Sequence, residues 1–221
     1  MPAWDASFVV RTMIEPVTDA APRRKAFYQV FNSRSPVQPA GRDEFPVRAL
    51  LYPTDCRFLE GVQFRALMGA LEDCGEREFY LSMVEFQPER RVWGGGENNH
   101  WLCRNPTFDE YEQTDVYIEN ALYSVNGSWG VLLSHEDHAL VVCHEALWQS
   151  LERRYPDWRK GYDEFIDYWK EVESRGVNVD WINPFLSHLT RPPAIESNVW
   201  RRHAKSAGSC ESIVRRTTEG E

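Results

Sequence analysis

The chain has 221 residues, of which 42% are hydrophobic and 27% are charged, proportions that are ordinary for a globular protein. Its formal charge of −9 argues against general nucleic-acid binding, which depends on a basic surface that neutralises phosphate. No apolar run approaches the roughly 18 residues that a membrane span needs, and no basic segment followed by an apolar core marks a secretory signal.

The first half of the chain alternates extended segments with helices. The predicted elements are a strand within residues 1–16, a helix at 19–31, a loop at 32–46, an extended segment at 45–52, a helix at 59–71 and a strand at 78–86. In both helices apolar residues recur every three or four positions, as Phe64, Leu67 and Leu71 do in the second helix.

A polar loop is predicted at residues 90–101, and it contains three consecutive glycines at Gly94–Gly96. These glycines lack the trailing lysine of a phosphate-binding loop and the GxGxxG spacing of a dinucleotide-binding fold. The loop is therefore expected to be adaptable. Because binding residues often lie on loops, its Trp93 and Trp101 are candidates for contact with a partner.

The most informative stretch runs from Tyr117 to Trp148 and contains three apolar runs separated by two polar breaks. The first break is Asn126-Gly127, the dipeptide best suited to a type I′ hairpin turn, in which both central residues have positive φ. The second break, residues 134–138, also has the composition of a turn. An antiparallel three-stranded meander is therefore predicted at about residues 117–143, and it leads into a helix.

Helices make up the remainder of the predicted fold, at residues 108–112, 144–153, 158–172 and 181–189. Helices before and after an antiparallel strand group indicate an α+β domain over residues 1–190, with amphipathic helices covering one face of the sheet. Residues 191–221 are polar and their last twenty lack periodicity, which predicts a loosely ordered C-terminal tail.

An acidic segment precedes the meander and contains no basic residue. Its five acids are Asp109, Glu110, Glu112, Asp115 and Glu119. A solvated helix surface explains such a segment, and so does a patch that docks on a basic protein, because carboxylates steer association. Together with Trp93 and Trp101, these acids form the predicted partner-binding surface.

An alternative site consists of His135, His138 and His144, which would bind the metal of a hydrolase with Glu136 or Glu145 as general base. The spacing of the histidines is not the HExxH of a helical metalloprotease. A polar turn that contains histidines explains the same residues. The sequence therefore predicts no bound metal, and the hydrolase stays an alternative.

The hairpin pattern runs Ala121-Leu122-Tyr123-Ser124, then Gly127-Ser128-Trp129-Gly130-Val131, then Ser134 and Asp137-His138-Ala139. It resembles a pattern in small uncharacterised bacterial proteins, some of which are similar to immunity proteins of polymorphic toxin systems. The resemblance covers roughly residues 60–150 and carries no active-site residues over. It implies an acidic, cytoplasmic protein that blocks a toxin by binding it. Packing also explains Trp129-Gly130, with the tryptophan in the core and the glycine admitting a close neighbour.

These features favour a non-enzymatic binding protein, an immunity-type inhibitor that neutralises a basic protein toxin. The alternatives are the hydrolase and a scaffold or regulatory domain.

Five widely spaced cysteines without a CxxC pair indicate a reduced, cytoplasmic compartment. Cys143 follows an apolar run and is expected to be a small buried core residue. No cofactor is expected, and neither nucleic acid nor a membrane is an expected partner.

Overall fold

The computed structural model describes residues 13–84, 86–87, 92–93, 99–116 and 119–191, so the predicted tail lies almost wholly outside it. The strands in these ranges are β1 (Ile14–Pro16), β2 (Val47–Leu51), β3 (Glu78–Met83), β4 (Phe86–Gln87), β5 (Val92–Trp93), β6 (His100–Arg104), β7 (Asn120–Ser124), β8 (Gly130–Ser134) and β9 (His138–Cys143). The helices are α1 (Ala20–Val30), α2 (Gly61–Asp73), α3 (Phe108–Glu112), α4 (Glu145–Arg154), α5 (Trp158–Ser174) and α6 (Ile182–His188).

Seven strands form one antiparallel sheet in the order β1-β6-β3-β7-β8-β9-β2, and β4 pairs with β5 in a separate ribbon. The predicted meander is present as β7, β8 and β9, with Leu122 opposite Val131 and Leu132 opposite Leu140. β2 pairs with β9 at one edge of the sheet, and β1 lies at the other edge. The α+β class predicted from the sequence is confirmed.

Helices cover both faces of the sheet, whereas the sequence predicted cover on one face. α2, α3 and α4 pack on the face that includes Val131 and Val141, which we call the α2 face. α1, α5 and α6 pack on the face that includes Leu132 and Leu140, which we call the α1 face. Every residue of β7, β8 and β9 is buried. These strands carry consecutive apolar residues, so each of their faces needs a helical layer.

The turn between β7 and β8 is longer than the predicted type I′ turn. Gly127 has a φ of 74°, but Asn126 is not among the described residues with positive φ. The Gly127 N–H donates to the Ser124 carbonyl at 3.2 Å, and the Ser124 N–H donates to the Trp129 carbonyl at 3.1 Å. The Asn126 side-chain oxygen accepts the Ser128 N–H at 3.0 Å. This side-chain bond stabilises a longer loop around a single glycine with positive φ.

Two glycines allow close approach between elements. A Cβ at Gly130 would lie 2.6 Å from the ring of Phe31, and the preceding Trp129 is buried in the core. The packing explanation of this pair is therefore confirmed. In α5, a Cβ at Gly161 would lie 1.9 Å from the carbonyl oxygen of Tyr52, which follows β2. Only glycine lets α5 lie this close to the backbone after β2.

Candidate functional site

α3 carries three of the five predicted acids and is firmly anchored to the α2 face. Its N-terminus has a capping box, because the Thr107 side chain accepts the Glu110 N–H at 3.2 Å while the Glu110 carboxylate accepts the Thr107 N–H at 2.7 Å. On the inner side, the buried Tyr111 ring stacks on Phe64 with 4.4 Å between centroids. The Tyr111 hydroxyl accepts the Leu59 N–H at 3.1 Å. These contacts fix where the acids of α3 stand.

The five acids of the predicted surface differ in exposure. Asp109, Glu112 and Asp115 are exposed. The Glu110 carboxylate is engaged in the capping box. The side chain of Glu119 is only 16% exposed and lies 2.9 Å from Nδ1 of His135. The surface that a partner can reach therefore has three acids from the predicted set, which we call the α3 acids.

The two tryptophans of the predicted surface do not lie with the α3 acids as expected. Trp101 is 9% exposed and packs in the core on the α2 face, so its assignment to a contact surface is wrong. The cause is that β6 begins at His100, and strand alternation turns Trp101 inward. The backbone of Trp93 pairs with Phe86 in the β4–β5 ribbon, and its side chain lies outside the described part of the structure.

The three histidines of the alternative metal site point to different surroundings. Asp137 has a φ of 54° in a tight turn, which leaves His135 exposed and turns His138 into the core. The His138 ring stacks on Trp181 at 5.4 Å between centroids. Burial lowers the pKa of His138 to about 4, so its ring is neutral at pH 7.

His144 completes the separation of the histidines. It is exposed at the N-cap of α4, where its ring lies 5.0 Å from that of Phe45. Among the described residues, no group of three histidine, cysteine, aspartate or glutamate side chains is placed to hold a metal ion. The hydrolase alternative is wrong in its site, because His138 belongs to the core. Cys143 is fully buried as predicted, and burial raises the pKa of its thiol.

A polar cluster on the α1 face was not predicted. Ser82 of β3 lies opposite His100 of β6, and its hydroxyl is 2.8 Å from that of Tyr123 on β7. All three residues are buried. The half-buried Arg23 of α1 interacts with the Tyr123 hydroxyl. The pKa of His100 is lowered to about 3, mainly by burial and also by the positive charges of Arg23 and Arg34.

A cleft of about 600 Å³ lies beside Arg34, whose positive charge acts on His100 of this cluster. Its lining residues are Tyr28, Asn32, Ser33, Arg34, Ser35, Val84 and Glu119. The Arg34 guanidinium lies 5.7 Å from the ring centre of Phe27 and 5.5 Å from that of Tyr28. Such ring contacts orient the arginine side chain. Arg34 therefore connects the cleft with the buried cluster.

Sequence reasoning missed this cluster because its members are far apart in the chain. Arg23 lies in the first turn of α1, Arg34 follows the helix, and His100 was placed in a loop. The β3–β6 register sets Ser82 opposite His100, and the packing of α1 on this face brings Arg23 to the Tyr123 hydroxyl. One available signal was the apolar run Trp101-Leu102-Cys103 directly after His100, which is compatible with a strand.

Comparisons of the chain with protein-family models, curated proteins and solved structures found no match. Within the described residues, no helix combines the length and the apolar character that crossing a membrane requires. The side chains described above are therefore the basis for assigning a function.

Proposed function

We propose that this protein binds a basic protein partner through the α3 acids. The observation that carries the proposal is the position of Asp109, Glu112 and Asp115, which are exposed on an anchored helix and its C-terminal flank. Residues 106–116 contain no lysine or arginine. Fixed charges of one sign steer an oppositely charged partner and raise its rate of association.

Neighbouring loops add to the negative charge. Residues 54–59 contact α3 through the ring of Phe58, and they contact the β8–β9 turn through a backbone hydrogen bond of 2.8 Å. This segment carries the exposed Asp55, and the turn carries the exposed Asp137. The same segment carries the exposed Arg57, which offsets one charge. Negative charge thus extends beyond α3, and the positive charge of Arg57 partly offsets it.

A toxin domain is the partner that the hairpin resemblance implies, and the protein would act as its immunity-type inhibitor. Inhibition by binding needs no catalytic group from the inhibitor. A scaffold or regulatory domain would use the same kind of surface. The two roles differ in one measurable respect, because only an inhibitor abolishes the activity of the protein that it binds.

The test compares two triple variants with the same change in charge. The first reverses the α3 acids by Asp109→Lys, Glu112→Lys and Asp115→Lys. The matched control reverses three exposed acids of α5, and these substitutions are Asp163→Lys, Asp167→Lys and Glu173→Lys. Each variant and the wild type are used to capture partners from the source organism at low and high salt, and the captured protein is then purified for affinity measurements.

We expect a basic partner that the wild type and the α5 variant retain and that the α3 variant loses. Binding should weaken with salt, because exposed charges are screened over about 10 Å at 0.1 M ionic strength. Equal loss in both triple variants would show that overall charge, and not the α3 acids, governs binding. Unchanged binding by the α3 variant would refute the proposal.

A further inference from the structure

Three arginines stand around the polar cluster on the α1 face, although the chain as a whole is acidic. Arg23 and Arg24 come from α1 and Arg34 from the loop after it, and the charges of all three act on His100. The formal charge of the whole chain is −9. A local concentration of positive charge in an acidic protein attracts anions to that place.

Two nitrogen atoms of the cluster are buried and, within the described residues, have no hydrogen-bond partner. They are Nδ1 of His100 and Nε of Arg23. His100 is only 5% exposed. Buried polar atoms in folded proteins are nearly always hydrogen-bonded, so such exceptions point to a ligand, ion or water that completes them. Acceptor atoms of a bound ligand would satisfy them.

The hydroxyl pair of Ser82 and Tyr123 adds a donor at the same place. Its two oxygens are 2.8 Å apart, so one hydroxyl donates to the other. The hydroxyl that accepts this bond keeps its own hydrogen for another acceptor. Every group of the cluster is thus able to donate a hydrogen bond, given the His100 tautomer with its proton on Nδ1. An oxyanion is the chemical group that accepts several such bonds at once.

We propose that the cleft binds a small molecule through an oxyanion group, a carboxylate or a phosphate, held by Arg23, Arg34 and His100. The volume of about 600 Å³ is in the range of small-molecule sites. Tyr28 and Val84 supply apolar wall for the rest of the ligand.

Glu119 sets the direction in which the ligand lies. Its carboxylate lines the cleft and would repel a second anion, even though His135 contacts it at 2.9 Å. Repulsion from Glu119 would keep the oxyanion among the arginines, and the part of the ligand beside Glu119 would then be neutral or carry a hydrogen-bond donor. A molecule with a single anionic end fits this arrangement.

The test follows the His100 imidazole signals of the full-length protein by NMR at constant pH. Inorganic phosphate and succinate are the probes, and sodium chloride at the same ionic strength is the control. We expect saturable shifts with at least one probe. Arg23→Gln should weaken the apparent affinity about tenfold, because it removes a charge-assisted contact. Arg153→Gln is the matched control, since it removes the same charge from an exposed position on α4, across the sheet.

Thermal unfolding gives a second measurement, because a ligand that binds the folded state raises the melting temperature. In His100→Gln, the probe that raises the melting temperature of the wild type should no longer do so. The comparison with and without the probe is made within the variant, so a change in the variant's own stability does not affect it. A response to phosphate would identify a phosphorylated ligand, and a response to succinate alone would identify a carboxylate. Shifts no larger than those with chloride, or equal weakening in Arg23→Gln and Arg153→Gln, would overturn the proposal.

Discussion

Lowering the pH from 8 to 5 is expected to destabilise the fold through His100 and His138. Burial is the main cause that lowers the pKa of His138 from 6.5 to about 4 and that of His100 from 6.5 to about 3. Both rings therefore bind a proton more readily in the unfolded chain, so stability is lost as the pH falls below 6.5. At pH 5 each histidine lowers the free energy of unfolding by about 2 kcal/mol relative to pH 8, or about 4 kcal/mol together.

A loss of this size is a large part of the roughly 5–15 kcal/mol that stabilises a typical domain. Urea denaturation, followed by tryptophan fluorescence in chloride buffers at several pH values, measures it. His138→Gln should roughly halve the loss between pH 8 and pH 5, although the variant is less stable at both values. Phe185→Leu perturbs the packing beside the same ring, whose centroid is 5.1 Å away, and should keep the full loss. Equal losses in the wild type and His138→Gln would refute the reasoning.

Two further predictions concern packing. Gly161→Ala places a Cβ 1.9 Å from the Tyr52 carbonyl oxygen, so we expect a net destabilisation of about 1–3 kcal/mol in urea denaturation, despite the better helix propensity of alanine. A neutral or stabilising effect would show that α5 is not held this close to the chain after β2. Tyr111→Phe removes the acceptor of the buried Leu59 N–H and should cost about 1–3 kcal/mol in the same assay, while unchanged stability would contradict that bond.

The meander could be predicted from the sequence because each apolar run has polar residues at both ends. The same runs do not indicate that a second helical layer covers the other face of the sheet. In β9, for example, the apolar residues from Ala139 to Cys143 are consecutive and all buried, so they carry no alternation that assigns one face to solvent. The Asn126-Gly127 turn was located correctly but given the wrong type. Its hydrogen bonds depend on Ser124 and Ser128, which a dipeptide rule does not consider.

The site residues were harder to predict, because the direction of a side chain depends on strand boundaries. His100 and Trp101 are neighbours in β6, and strand alternation sends them to opposite faces of the sheet. A loop at residues 90–101, as the sequence predicts, leaves both side chains able to reach the surface. A turn at residues 134–138 likewise does not determine whether His138 points to solvent or into the core. The acids at Asp109 and Glu112 were easier, since a short capped helix with one buried tyrosine leaves its charged side chains outside.

The sheet separates the two proposed binding surfaces. α3 packs with α2 on one face, whereas Arg23 belongs to α1 on the other. Exposed charges more than about 8 Å apart are largely screened at physiological ionic strength, so a charge change among the exposed α3 acids is damped at the opposite face. Glu119 lines the cleft and also follows the α3 acids in sequence, but most of its side chain is shielded from solvent beside His135. The two proposals thus rest on different faces of the sheet, and the failure of either leaves the other intact.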